Sequence, residues 1–267
     1  MIESDTAFTG SIPGLYDRCL GPLLFEPYAR DLAERAAALA PRRILETAAG
    51  TGIVTAALVR ALPDAEIIAT DLNPDMLVVA AAKIDSPRVI FQPADAGQLP
   101  FADGAFDLVL CQFGAMFFPD RVAAYAEARR VLKRGGLFLF NVWDRLDRNL
   151  LSKVTADAVA ALMPDGGASF IERVPFGYHD QARIERELVA AGFDAIGIET
   201  VATTSNVPDP AAAAHGICAG SPLALELEAR GVTIAEAESA VAEALAEHAG
   251  ADGLSLPMSA LVISARA

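Results

Sequence analysis

Short apolar runs that end in small or acidic residues alternate with amphipathic stretches through the first half of the chain. Arg42-Arg43-Ile44-Leu45 reads as a buried strand and Ile53 to Val59 as the helix that follows it. Ile67 to Thr70 is a second β-rich run ending in Asp71, and Asn73-Pro74 opens another helix. Arg88 to Gln92 predicts a third strand. Phe106 to Phe113 predicts a fourth, nearly continuous in apolar residues, as suits a strand covered on both faces. Leu132-Lys133-Arg134-Gly135-Gly136-Leu137-Phe138-Leu139-Phe140 supplies a helix end, a glycine turn and a fifth strand.

The flanks are less regular. Phe8 to Leu39 reads as a loop followed by an Ala-rich helix, and Asn149 to Met163 as a helix broken by Pro164-Asp165-Gly166-Gly167. His179-Asp180 opens a helix running to Ala191, and Gly192-Phe193 starts a strand ending near Val201. Pro208 to Gly250 reads as mostly helical, interrupted at Gly216, at Gly220-Ser221-Pro222 and at Gly231. Met258 to Ala265 alternates as a last strand should. There is no internal repeat and no low-complexity linker.

The chemistry concentrates where the first strand turns into the first helix, in Glu46-Thr47-Ala48-Ala49-Gly50-Thr51-Gly52. Open α/β sheets bind ligands at the carboxyl ends of their parallel strands, and Gly50 and Gly52 let a ligand approach the backbone. A nicotinamide-binding Gly-x-Gly-x-x-Gly loop needs a third glycine for close helix packing, and Thr55 stands at that position. Glu46 suits an ammonium or hydroxyl partner and would repel a pyrophosphate. Asp71, about twenty residues on at the tip of the second strand, is placed to accept both hydroxyls of a ribose, although it would equally cap the helix near Pro74. Asp95 beside Ala96 is placed to accept from an exocyclic amine, or is an ordinary turn residue.

Taken in order, Leu45 to Gly52, Asp71, Asp95-Ala96 before Leu99-Pro100-Phe101, Phe106-Asp107-Leu108-Val109, and Val131-Leu132-Lys133-Arg134-Gly135-Gly136 form a pattern. It resembles the class I S-adenosylmethionine-dependent methyltransferases, in the small-molecule branch similar to the ubiquinone/menaquinone-biosynthesis (type 11) enzymes. The resemblance is strong over about residues 40 to 145 and absent as a motif over most of the C-terminal third. Ala48 departs from it, standing where the family has the first glycine of its turn, and Arg134 replaces a common proline. The resemblance implies a Rossmann-like, doubly wound α/β fold. Its mostly parallel seven-stranded sheet would carry an antiparallel C-terminal strand and a helical insertion over about 203–255. Residues 1–40 would form a cap segment on a methyltransferase domain of residues 41–267.

By the same resemblance the cofactor is S-adenosylmethionine. Glu46 and the turn of Ala48, Gly50 and Gly52 would hold its methionine portion, and Asp71 its ribose. Leu72 and Met76 would flank the adenine, and Asp95 with Ala96 would face its amine. Gln112 and Phe113 would lie on the sulfur side near the acceptor, and Tyr16 of the N-terminal segment is either a hydroxyl contact there or a packing tyrosine. The implied reaction is methyl transfer to a small-molecule acceptor. A non-methylating S-adenosylmethionine enzyme or a binding protein on the same fold would carry the same cofactor motifs.

Composition narrows the partners. A net charge of −14 argues against nucleic acid, because phosphate binding needs clustered Lys and Arg. The densest basic group, Arg129-Arg130 with Lys133-Arg134, reads as a solvated helix end favoured by the helix dipole. Mean hydropathy of +0.36 reflects Ala-rich helices, and no run approaches a membrane span. Cys19, Cys111 and Cys218 lack metal or disulfide spacing, no His/Cys/Asp/Glu grouping fits zinc or magnesium, and a cytoplasmic location is the expectation. Nothing bears on oligomeric state. Catalytic residues are unknown from sequence, with His179 and His215 as weak base candidates and His248 on a solvated face. Met116-Phe117-Phe118, Trp143 and Phe176 predict an apolar acceptor pocket.

Overall fold

The computed structural model describes residues 3–6, 8–163, 167–250 and 253–267. Its strands are β1 (Arg43–Glu46), β2 (Glu66–Asp71), β3 (Val89–Pro93), β4 (Phe106–Gln112), β5 (Leu132–Trp143), β6 (Ala195–Val207) and β7 (Leu254–Arg266). Its α-helices are α1 (Ile12–Leu15), α2 (Glu26–Ala37), α3 (Ile53–Ala61), α4 (Pro74–Lys83), α5 (Arg121–Val131), α6 (Leu150–Leu162), α7 (Phe170–Arg173), α8 (Gln181–Ala190), α9 (Pro210–Ala219), α10 (Leu223–Ala229) and α11 (Ile234–Ala246).

The strands form one sheet in the order β3-β2-β1-β4-β5-β7-β6. β1 runs parallel to β2 and β4, β2 to β3, and β4 to β5, whereas β7 is antiparallel to both of its neighbours. This is the mostly parallel Rossmann-like sheet expected of the sequence. The strand order reverses between β1 and β4, the crevice at which such sheets bind ligands.

Strict alternation along the central strands separates two cores. Ile44, Ile67, Leu108 and Leu110 point to the layer of α2 and α3, where Leu32, Ala36, Val54 and Leu58 bury them. Leu45, Val109, Phe138 and Phe140 point the other way, against Tyr125 of α5, Val154 of α6 and Ile184 and Leu188 of α8. Helices on both faces explain why β4 is apolar throughout.

Three local expectations need correction. The segment Tyr16–Phe25, inside the stretch from Phe8 to Leu39 read as a loop followed by a helix, is a π-helix continuous with α1 and α2. Pro22 has no amide to donate, and the chain passes it on a wider turn in which the Glu26 N–H donates to the Gly21 carbonyl. Burial of Leu20, Leu23, Leu24 and Phe25 holds that turn in place. Gly216 does not interrupt its helix either. α9 runs straight through it because a Cβ there would sit 2.5 Å from the Cys19 Cβ, so the glycine is a contact point between α9 and the π-helix. β6 extends to Val207, pairing with β7 along its whole length. The break read at Pro164-Asp165-Gly166-Gly167 falls for residues 164–166 outside the described residues.

At the basic helix end Arg129, Lys133 and Arg134 are exposed, whereas Arg130 is half-buried and tied down. Arg130 donates to the carbonyls of Phe101 and Leu99 and pairs with Glu127 and Asp103, pinning the 99–103 loop to α5. No helix among the described residues is long and apolar enough to cross a membrane, and no cluster of three metal-ligating side chains occurs among them.

Candidate cofactor cleft and acceptor cavity

The loops after β1, β2, β3 and β4 converge at one edge of the sheet around a cleft of about 460 Å³. Ala48 and Gly50 line it from the first loop, and Asp71 to Met76 from the second. Ala94 to Ala96 line it from the third, and Gln112, Phe113, Gly114 and 117–119 from the fourth. Thr6, Phe8, Thr9 and Tyr16 close it from the N-terminal segment.

The first loop is built of left-handed residues, with φ of 51° at Ala48, 55° at Gly50 and 77° at Gly52. Ala48 accepts a conformation that glycine adopts without cost, which is why the family pattern has glycine there. The loop is tied to β2: the Ala49 N–H donates to the Thr70 carbonyl (2.9 Å) and the Gly50 N–H to Asp71 Oδ2 (2.8 Å). Asp71 Oδ1 accepts from the Asn73 N–H (2.8 Å), while Asn73 itself caps α4 by accepting from the Asp75 N–H. The capping role weighed for Asp71 therefore belongs to Asn73. Burial pushes the Asp71 carboxyl upward, and its backbone donors, including those of Asn73 and Gly50, oppose the rise. Each carboxylate oxygen still has lone-pair capacity for a ligand hydroxyl.

Glu46 does not line this cleft. Only 1% exposed, it lines an adjoining cavity of about 30 Å³ together with Thr51 and Gln112. Burial pushes its carboxyl up to about 8, against a hydrogen bond of 2.7 Å from the Thr55 hydroxyl, with the nearby Asp71 charge adding to the rise. Gln112 Oε1 and Thr51 Oγ1, which line the same small cavity, are buried without a hydrogen-bond partner among the described residues. Two orphaned oxygens beside a buried carboxylate make a donor-seeking pocket, the complement of an ammonium group. The residues present thus fit both ends of S-adenosylmethionine.

The other expected residues divide. Leu72 is 68% exposed on the cleft wall, a large apolar surface lacking cover, and Met76, Asp95 and Ala96 line the same wall. Asp95 also accepts from the Gly97 N–H (2.8 Å), so it makes its turn and faces the cleft at once. Gly52 lines neither cavity. A Cβ there would lie 2.9 Å from both the Ala80 Cβ and the Ile84 Cδ1, so its glycine serves the approach of α4. Phe113 has φ 49° and is held by its N–H, which donates to Asn141 Oδ1 (2.9 Å), while its ring stacks on Trp143 at 3.9 Å.

Behind the cleft lies an apolar cavity of about 90 Å³. Phe8, Tyr16, Phe113 and Phe117 line both spaces and form the partition between them. Met116, Trp143 and Phe176, expected at an acceptor pocket, line this cavity with Phe117, whereas Phe118 lines the cleft instead. Tyr16 stacks on Phe25 at 4.8 Å and meets Phe8 edge-on, and burial first, then Asp71, holds its phenol well above the usual range. Its hydroxyl is protonated at any working pH.

The histidines are elsewhere. His179 Nδ1 contacts the Phe176 carbonyl (2.8 Å) and His215 Nδ1 meets Glu238 Oε1 (2.8 Å); neither lines the cleft or the apolar cavity. Sequence reasoning missed Phe8, Asn73 and Gly114. Asn73-Pro74 carried a helix-start signal whose polar side chain was legible, but Phe8 and Gly114 gain meaning only from the fold.

Comparison with known proteins agrees with this geometry. Residues 45–140 match a family model described as a methyltransferase domain. Over 99 residues the chain is 44% identical to a demethylmenaquinone methyltransferase of Thermus thermophilus, covering 36% of this chain and 45% of that one. Over 168 residues it is 32% identical to the ubiquinone/menaquinone biosynthesis C-methyltransferase UbiE of Pseudomonas aeruginosa, covering 58% of this chain and 66% of that one. The chain thus spans about half to two thirds of the length of these curated relatives. The solved YcgJ protein of Bacillus subtilis shares the fold, with a TM-score of 0.59 at 20% identity over 90% of this chain and 98% of that one. With its sheet order, left-handed first loop and half-buried Asp71 at the tip of β2, this chain carries over residues 45–140 a type 11 methyltransferase domain of the class I S-adenosylmethionine-dependent family.

Proposed function

We propose that the protein binds S-adenosylmethionine in the cleft and methylates a small-molecule acceptor whose apolar or aromatic body occupies the cavity behind it. The observation that carries this reading is the partition of Phe8, Tyr16, Phe113 and Phe117, which one side offers to a polar-ended cleft and the other to an apolar cavity. Relatives named for quinone biosynthesis support a quinone-like ring as the acceptor body.

When bound, the cofactor supplies an activated sulfonium methyl, so alignment of the acceptor is the main task left to the chain. Asp71 would accept the ribose hydroxyls, Leu72 and Met76 would cover the adenine, and Asp95 with Ala96 would face its amine. Glu46, Thr51 and Gln112 would receive the ammonium group, and Gly50 would admit the chain between them. The apolar cavity is lined by no histidine; of its lining side chains Tyr16, Ser152 and Ser221 carry hydroxyls and Trp143 an indole N–H. Ser221 already donates to the Ile217 carbonyl. A lining of this kind favours an acceptor whose reacting atom is electron-rich without an enzymic base. The three thiols are unpaired, which suits a reducing compartment such as the cytoplasm.

A screen that follows S-adenosylhomocysteine release tests the assignment. Aromatic or apolar-bodied phenols and quinols are expected to turn over, whereas exclusive turnover of compact amino acids or polyamines would contradict it.

The buried Glu46 gives a pH dependence of definite sign. Its folded carboxyl lies at about 8 against an ordinary 4.5, so within that window the folded protein keeps a proton that the unfolded chain releases. Its contribution to stability therefore falls as pH rises through the window and levels off above it. Urea unfolding from pH 5 to 9 is expected to show this decline as the difference between wild type and Glu46→Gln. An ammonium group beside Glu46 favours the charged form. S-adenosylhomocysteine binding near pH 7 should then release a proton, seen as a buffer-dependent binding enthalpy that disappears in Glu46→Gln.

A further inference from the structure

We propose that a third cavity, beside the aromatic one, binds an anionic group carried by the methyl acceptor, a carboxylate. The proposal rests on the methyltransferase reading above and specifies its substrate. The cavity encloses about 430 Å³ and is lined by Asp5, Met116, Phe118, Pro119, Arg121, Arg173 and Val174. It adjoins both spaces already described. Met116 also lines the aromatic cavity, and Phe118 and Pro119 also line the cofactor cleft. The short helix α7 divides its residues between the two, giving Phe170 and Ile171 to the aromatic cavity and Arg173 to this one.

Arg121 carries the argument. In a chain of net charge −14 it forms no ion pair with a carboxylate among the described residues. One terminal nitrogen donates to the Met116 carbonyl (3.1 Å), and the guanidinium lies over the Tyr178 ring at 4.1 Å. Its Nε is buried and has no hydrogen-bond partner among the described residues. Stacking on an aromatic ring holds the planar fork in one orientation while leaving donors to be satisfied. Arg173 lines the same cavity with long contacts of 3.4–3.5 Å to Asp5, and it shares Glu226 (3.2 Å) with Arg230, which approaches that carboxylate more closely (2.7 Å).

An arginine fork with spare donors next to a low-polarity wall is the arrangement that recognises a carboxylate by paired, charge-assisted hydrogen bonds. Because the polar and aromatic cavities share Met116, the two features select one kind of molecule. Its ring lies against Phe113 and Trp143, and its acid end lies at Arg121 and Arg173. The site thereby discriminates an aryl acid from the same skeleton without charge.

The test uses 4-phenylbutyrate and its neutral amide, titrated by calorimetry into the full chain with and without saturating S-adenosylhomocysteine. The acid is expected to bind at least tenfold more tightly than the amide. Arg121→Gln should abolish that preference and Arg173→Gln should reduce it, with amide binding and S-adenosylhomocysteine affinity unchanged, which also shows that the variants are folded. Equal binding of acid and amide, binding of neither, or a preference that survives in both variants would overturn the subsite. Failure of S-adenosylhomocysteine to bind wild type would instead strike the methyltransferase reading, and the titrations without it still decide whether the cavity takes an acid.

Discussion

Replacing Asp71 with alanine is expected to weaken S-adenosylhomocysteine binding by about 100-fold, since hydrogen bonds to a charged group each contribute about 1.5–3 kcal/mol. The carboxylate does two things at once. It offers lone pairs to the cleft, and it accepts the Gly50 and Asn73 amides that shape the loops on either side. The alanine variant loses both, so part of the effect is loop disorder, and the unfolding midpoint of the ligand-free protein should fall as well. Asp71→Asn keeps an acceptor oxygen and should fall between wild type and alanine. Calorimetry reads the binding and urea unfolding reads the loop. An alanine variant that binds within about threefold of wild type, well under one such hydrogen bond, would remove Asp71 from the cofactor site.

Gly114→Ala is expected to destabilise the fold by about 1–3 kcal/mol, the usual range for an added methyl with no room, and to weaken cofactor binding alongside. The backbone at Gly114 is ordinary, with φ −101°, so the effect is steric. The new Cβ would lie 2.4 Å from the Ala48 Cβ and 2.8 Å from Cys111 Sγ. Ala48 holds a left-handed conformation that costs an L-residue about 1–2 kcal/mol. Ala48→Gly removes the first clash and relieves that strain, so the double variant should recover more than half of the stability lost in Gly114→Ala alone. Urea midpoints of the two single variants and the double one supply the coupling. Strict additivity would mean that the loop after β1 and the loop after β4 do not touch in solution.

The pair also shows what the sequence carried and what it did not. The strands β1 to β5, the turn from Glu46 to Gly52 and the acidic tip at Asp71 were legible because each is encoded locally, by apolar runs that end in small or acidic residues. That Ala48 excludes a side chain at Gly114 was not, since the two residues meet only through the β1–β4 pairing. The same limit explains the π-helix. Gly21-Pro22 is a breaker in local terms, and only burial of Leu20, Leu23, Leu24 and Phe25 against the body of the protein keeps the segment helical. Gly216 misled in the same way, because its missing side chain answers to Cys19, nearly two hundred residues earlier in sequence. Residues of the cleft with a motif position were found, and those that reach it from elsewhere, such as Phe8, were not. Arg121 and Arg173 look like two unremarkable surface cations until α5 and α7 place them on one cavity.

The most direct test of the central claim is a calorimetric titration of the purified protein with S-adenosylmethionine, S-adenosylhomocysteine and NAD. Saturable one-to-one binding of both sulfur ligands with no response to NAD is the predicted result. Binding of NAD, or of none of the three, would contradict the reading of the cleft from Asp71, Glu46 and the left-handed loop after β1.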